Sequence, residues 1–173
     1  EVIGIIKNLK NAKSPGLDRI NNNLLKKLPS RGFTYLLFII SACLKLAYFP
    51  DNYKHAKVIP ILKIGKDSSL ASSFRPISLL CAISKIIERV ILNRVNNFLE
   101  ENDIIPHEQC GFRKKRSTTL QLSNLVRHAK ERLKNKMSTG VVMLDVEKAF
   151  DRVWHDGLLF KMIKLNFPPY IIK

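Results

Sequence analysis

The run Gly140-Val-Val-Met-Leu-Asp-Val-Glu-Lys-Ala-Phe-Asp-Arg-Val-Trp154 places three carboxylates, Asp145, Glu147 and Asp151, directly behind four apolar residues. A carboxylate at the carboxyl end of a buried strand sits where open α/β sheets place their ligands. Oxygen is the ligand Mg²⁺ prefers, and the ion usually takes one or two carboxylates together with substrate phosphates. The alternative is that Asp145 caps a following helix and Asp151 is merely solvated. The segment alone leaves both readings open.

Two basic groupings accompany it. Lys57, Lys63, Lys66 and Arg75 bracket a stretch with hairpin character. Basic side chains on opposing strands could clamp a triphosphate, arginine through paired hydrogen bonds and lysine as a point charge. Lysines also protect exposed sheet edges from aggregation, which is the competing explanation. Further on, Arg113, Lys114, Lys115 and Arg116 are followed by Arg127, Lys130, Arg132, Lys134 and Lys136, with Glu131 the one acid among them. Such a stripe suits a phosphate backbone, where contacts position a strand without reading its sequence. A solvated basic face is the alternative for any single member.

The whole chain points the same way. Thirty Lys and Arg stand against fourteen Asp and Glu in 173 residues, a formal charge of +16, which favours a polyanionic partner such as nucleic acid. Apolar residues make up 46 %, enough for a real core and too many for a disordered tail. Cys43, Cys81 and Cys110 are odd in number and far apart, and His55, His107, His128 and His155 show no ligand spacing. Reduced thiols in an intracellular protein of cytoplasm and nucleus are therefore expected, without a structural metal. Apolar runs such as Tyr35–Ile40 are too short to span a bilayer, and Glu1 opens no signal-peptide pattern.

The elements that must position these residues can be read from periodicity. Lys13-Ser-Pro-Gly-Leu-Asp18 is a turn signal, after which Leu17, Ile20, Leu24, Leu25 and Leu28 share one helical face that Pro29 ends. Residues 32–47 read as a second, mostly buried helix. Ala56–Ile64 reads as a strand in which Pro60 signals an edge or a bulge; Gly65–Ser73 is a loop, and Phe74-Arg-Pro-Ile77 is the returning strand. A long helix is expected from Ser78 to Glu101, and another opened by a capping box at Thr118 and Gln121 with Leu122, Leu125, Val126, Ala129 and Leu133 inward. Val141–Leu144 reads as a buried strand and residues 156–165 as a short helix.

Five segments in sequential order carry a resemblance over nearly the whole chain. They are Lys13-Ser-Pro-Gly-Leu-Asp18; Ile59-Pro-Ile-Leu-Lys63; Phe74-Arg-Pro-Ile-Ser-Leu-Leu80 with Lys85-Ile-Ile-Glu88; Gln109-Cys-Gly-Phe-Arg113; and Leu144-Asp-Val-Glu-Lys-Ala-Phe-Asp-Arg-Val-Trp-His155. The series resembles the reverse transcriptases of non-long-terminal-repeat retrotransposons. That resemblance implies an α+β right-hand polymerase fold, with residues 1–105 as fingers and 106–173 as the start of a palm. It implies an RNA-directed DNA polymerase acting on an RNA template, a DNA primer and deoxynucleoside triphosphates, with Mg²⁺ as cofactor and Mn²⁺ as the alternative.

Residue by residue, the resemblance assigns Asp145 as the first catalytic aspartate and the Val146 carbonyl as a further metal ligand. Phe150 takes the position whose ring stands under the sugar, and Asp151 a second acidic position. Arg75 corresponds to the fingers arginine on the incoming nucleotide, Lys63 or Lys66 to its lysine partner. Gln109, Gly111, Phe112 and Arg113 fall near template and nucleotide. No Asp-Asp pair occurs in the sequence, whereas the family's palm carries such a hairpin later on. The chain by itself is therefore expected to lack polymerase activity. A maturase-like reverse transcriptase of group II introns and a non-catalytic nucleic-acid-binding relic are the competing readings. Ser14-Pro-Gly-Leu-Asp18 and Val153-Trp-His155 favour the retrotransposon group.

Overall fold

A computed structural model of the chain describes residues 1–172, and of its first four helices only the second carries a side-chain N-cap. Helix α1 spans Val2–Lys7, α2 Asn22–Lys26, α3 Ser30–Lys45 and α4 Asp51–Lys54. Asn21 caps α2, its side chain accepting from the Leu24 amide at 2.9 Å, which satisfies one of the donors a helix start leaves orphaned. The helix expected to run from Leu17 to Leu28 is thus only five residues long. Its first part is loop, held by Asp18 accepting from the Ile20 amide at 3.1 Å, a local bond that competes with helix. Pro29 does not end that helix; it is the extended residue that opens α3.

Gly16 is buried, and its reason is steric. A Cβ built there would lie 2.5 Å from the backbone nitrogen of Cys81 and 2.8 Å from the carbonyl carbon of Leu80. The turn Lys13–Asp18 therefore packs backbone to backbone against the start of α5, which spans Ala82–Glu101. Cys81 caps α5, its sulfur accepting from the Ser84 amide at 3.3 Å. The expected start at Ser78 lies instead within a strand that continues to Leu79.

Two compact units result, Glu1–Asn96 together with the segment from Phe167, and Asn97–Asn166. The core of the first joins Ile6, Leu25, Leu36, Ile40, Ala82, Ile86 and Ile87, with Phe33, Phe49 and Tyr53 packed around it. Ile40 and Ile86 are 1 % and 0 % exposed, and burying each contributes roughly 1.5–3 kcal/mol. Helix α3 supplies one stripe only: Tyr35 and Phe38 face outward, so the expectation of a mostly buried helix holds for a single side.

The hairpin pairs β1 (Lys57–Leu62) with β2 (Phe74–Leu79), antiparallel, with Ile61 opposite Arg75 and Pro60 opposite Pro76. The Lys63 amide donates to the Ser73 carbonyl at 2.8 Å, which makes that pair hydrogen-bonded; counting back along the alternation, the Pro60–Pro76 pair is not. Both prolines thus direct their missing donors outward. The ladder loses nothing, and each outer edge lacks a donor at its middle. The edge expected from Pro60 is present, on both strands.

In the second unit, α6 (Thr118–Lys134) is capped by Ser117, whose hydroxyl accepts from the Leu120 amide at 3.1 Å. The cap is therefore one residue earlier than the expected Thr118. Leu122, Leu125, Val126 and Leu133 do share a stripe, yet that stripe is exposed rather than inward. Val141–Leu144 belongs to no strand or helix, and Leu144 is 92 % exposed. An apolar run becomes a strand only when another strand answers its hydrogen bonds, and among the described residues none does. Helix α7 (His155–Lys164) forms as expected, with the Trp154 ring lying over buried Gly157, and α8 spans Pro169–Ile172.

Candidate active site

The register puts Lys57, Ile59, Ile61 and Lys63 on one hairpin face with Arg75, Ile77 and Leu79. Lys63 and Arg75 therefore share a face, from opposing strands. The Lys63 ammonium donates to the Ser72 carbonyl at 2.8 Å, which holds its stem along the hairpin end. Lys66 lies in the connecting loop, where Gly65 takes a left-handed φ of 72° that suits glycine. Asp67 shapes that loop by accepting from the Ser69 amide at 2.9 Å and the Ser69 hydroxyl at 2.8 Å. Those two hydrogen bonds, the amide's first, hold the Asp67 carboxyl below its ordinary range. Arg75 is exposed, its guanidinium free of any ion pair among the described residues.

On the second unit, Asp145 and Val146 lie on an exposed stretch outside any helix or strand, and Glu147–Arg152 form a turn. The Asp151 and Arg152 amides donate to the Lys148 carbonyl at 3.0 and 3.2 Å, with Lys148 left-handed at φ 52°. Arg152 lies 4.0 Å from Glu147, both well exposed, a pair worth little in water. Asp145 is thus not the cap of a helix. Its carboxylate is open to solvent, beside the Val146 carbonyl.

Phe150 meets Phe112 edge to face, ring centroids 6.1 Å apart and planes at 88°. That contact brings Gln109–Arg113 against the turn that bears Asp151. Phe112 itself is left-handed at φ 59°, an uncommon state for a bulky residue and one that costs on the order of 1–3 kcal/mol. Arg113 is half-buried, donating from Nη1 to the carbonyls of Pro106 (2.9 Å) and Ile105 (3.2 Å). It buckles the loop as well as carrying charge, a use its sequence position did not disclose. Gln109 is exposed, as are Lys114 and Lys115; Arg116 is half-exposed. Cys110 donates from its thiol to the Gln121 side-chain oxygen at 3.1 Å and so ties this loop to α6.

The donor types at Asp145 and Val146, carboxylate and carbonyl oxygen, suit a hard divalent cation. The number does not suffice: among the described residues no three side chains of ligand type converge. These residues supply part of a metal shell at most.

Residues 62–173 match the model of a family described as reverse transcriptase (RNA-dependent DNA polymerase). The chain belongs to the reverse transcriptase family. This reverse transcriptase segment is 43 % identical over 170 residues to the probable RNA-directed DNA polymerase from transposon BS of Drosophila melanogaster, covering 98 % of this chain and 19 % of that protein. It is 41 % identical to the RNA-directed DNA polymerase from mobile element jockey of Drosophila funebris, covering 97 % and 18 %. It is 40 % identical to the probable RNA-directed DNA polymerase from transposon X-element of Drosophila melanogaster, covering 98 % and 19 %. The chain thus spans less than a fifth of the length of these relatives. Reverse transcriptases act on RNA templates with nucleotide substrates and generally use divalent metal ions. Among the described residues no helix is long and apolar enough to cross a membrane.

Proposed function

We propose that this segment is the fingers (1–105) and the start of the palm (106–173) of a retrotransposon RNA-directed DNA polymerase, working in cytoplasm and nucleus. The observation that carries the reading is identity of 43 % along 98 % of the chain to a protein named for that activity. The shared hairpin face of Lys63 and Arg75 supports a nucleotide-phosphate role for them, with Lys66 alongside. Arg75 would grip phosphate oxygens through paired hydrogen bonds, and Lys63 and Lys66 would add point charge. Phe150, steadied by Phe112, would stand beneath the sugar, and Gln109 would lie near the same nucleotide. Arg113 to Arg116 would hold template or primer backbone.

Asp145 and the Val146 carbonyl would contribute ligands to Mg²⁺, with Mn²⁺ as the alternative, and Asp151 would add acidic character beside them. When bound, the ion supplies positive charge against the nucleotide's phosphates. This chain's residues position substrate and bring electrostatic complementarity. The 173 residues contain no Asp-Asp pair, so the isolated chain would extend no primer.

The test is primer extension by the full-length parent and its Asp145→Asn variant, with template binding measured in parallel. The expected result is loss of extension by several orders of magnitude with affinity for primer–template within about twofold. Undiminished extension by the variant removes Asp145 from the site.

A further inference from the structure

Helix α3 ends in a turn that glycine ordinarily makes. Ala47 takes a left-handed φ of 50°, its amide donating to the Leu44 carbonyl at 3.4 Å. The Tyr48 amide donates to the Cys43 carbonyl at 2.9 Å, which completes a Schellman ending. Glycine would make this turn without strain, and alanine does not. Alanine adds a methyl group, and Ala47 lines a cavity of about 150 Å³. Every wall of that cavity belongs to the first unit. Cys43 of α3 and Ile87 of α5 are its buried residues. Tyr48 and Tyr170, both half exposed, stand at its mouth, and half-buried Phe49 is a third aromatic wall.

The lining decides what fits. Arg94 is the one charged residue that borders the cavity among the described residues, and its charge is already answered. Its Nη2 lies 3.5 Å from a Glu1 carboxylate oxygen, and its guanidinium carbon 5.6 Å from the Tyr170 ring centroid. That stacking also fixes Tyr170 as a wall, while Phe49 is held by Tyr53, edge to face at 6.3 Å. A water molecule needs two to four polar partners, which these apolar and aromatic side chains do not supply. An apolar cavity of about this volume takes one benzene-sized ring. Three aromatic walls offer such a ring edge-to-face and offset partners, and the Cys43 thiol is a soft, polarisable floor. A saturated ring fills the same volume and forfeits the ring–ring attraction. A carboxylate finds no uncommitted cation.

We infer that this cavity binds one neutral aromatic ring of a small molecule, apart from any nucleotide or nucleic-acid strand. Tyr170 and Ile171 bring α8 to the cavity, where the chain rejoins the first unit. An occupied cavity therefore fastens α8 to α3 and α5.

The probe is toluene, titrated into the 173-residue chain with isoleucine and leucine methyl groups labelled for NMR. The Ile87 and Ile171 methyl resonances are expected to shift saturably with one Kd, on the order of 1 mM. Leu122 and Leu133, on the exposed stripe of α6, are expected to shift without saturating. Methylcyclohexane and benzoate are each expected to bind roughly fivefold more weakly than toluene. Tyr170→Ala removes a half-exposed wall and leaves the core intact, and a similar loss of roughly fivefold is expected. Ile91→Trp fills the cavity from α5 and abolishes the saturable shift. Tyr35→Ala removes an exposed ring of α3 that does not line the cavity and leaves the affinity unchanged. Circular dichroism establishes that each variant is folded, and where Ile91→Trp is not, Tyr170→Ala decides. The inference is overturned if Ile87 and Ile171 do not saturate, or if methylcyclohexane or benzoate binds as tightly as toluene. Unchanged toluene affinity in Tyr170→Ala, or in folded Ile91→Trp, overturns it equally.

Discussion

Phe112 and Phe150 touch edge to face at 6.1 Å, and this contact joins two motifs that lie far apart in the sequence. An aromatic pair of this geometry contributes about 0.5–1.5 kcal/mol beyond its buried area. It does so from a Phe112 backbone in the left-handed region.

Two substitutions separate ring from backbone. Phe112→Ala and Phe112→Gly delete the same ring, yet only glycine occupies φ 59° without steric cost. The glycine variant is expected to be the more stable of the two by about 1 kcal/mol. Trp154 is the chain's one tryptophan and lies in the second unit, so its fluorescence during urea unfolding gives the ranking. Equal midpoints would show that Phe112 carries no backbone strain.

Gly16 and Gly4 offer a contrast within the first unit. Alanine at Gly16 would drive its Cβ into the Cys81 backbone, which cannot swing aside as a side chain would. A cost of about 2 kcal/mol or more is expected, lowering the melting temperature by about 10 °C. Gly4, in α1, has no atom within 4 Å of the place an alanine methyl would take, so alanine there is expected to stabilise by about 0.5–1 kcal/mol. Far-UV circular dichroism melts of both variants decide the matter, and shifts of the same sign would refute the steric account.

How legible these features were differs by the range of the interactions behind them. The hairpin was readable because Lys57–Leu62 and Phe74–Leu79 carry their strand signals locally, and their partners follow within a short loop. Helices α3, α5 and α7 were readable for the same reason, apart from ends decided by capping. Ser117 and Thr118 offer the same hydroxyl chemistry, and only the backbone settles which one meets the Leu120 amide. Val141–Leu144 was misread because apolar character announces burial while strand pairing needs a partner that sequence pattern does not name. At the site, the charges of Lys63 and Arg75 were legible. The grip of Arg113 on Ile105 and Pro106 and the Phe112–Phe150 contact were not, since both depend on how a loop folds back.

Glu88 gives a pH prediction. It lines a groove with Lys85 and Arg89 under the hairpin face, and partial burial raises its carboxyl above the ordinary 4.5, with Lys85 pulling the other way. A raised carboxyl pKa means the folded state holds its proton more tightly than the unfolded one, so ionised Glu88 detracts from stability at neutral pH. Glu88→Gln is expected to raise the melting temperature at pH 7. The gain should shrink as pH falls through the folded-state pKa and vanish below about 4.5, where both states are protonated. Melts of the pair from pH 7 to pH 4 test this, and a gain that persists at the acid end contradicts it.

Pro60 and Pro76 predict behaviour in solution. Pro60→Thr/Pro76→Thr restores an outward amide on each edge and leaves the ladder intact. Melting should change little, while self-association rises, because Val58, Ile61 and Leu62 then sit on edges able to pair. Sedimentation velocity at increasing concentration measures it; an unchanged distribution would show that the prolines do not guard these edges.

The solitary pairing of β1 with β2 has a mechanical side. Every ladder hydrogen bond of this hairpin is internal to it, so tilting the pair as a paddle breaks none of them. On one face Ile59, Ile61, Ile77 and Leu79 line a groove, where apolar attraction is non-directional and yields gradually. Lys63 and Arg75 therefore ride on a stiff blade that can tilt without either strand losing register.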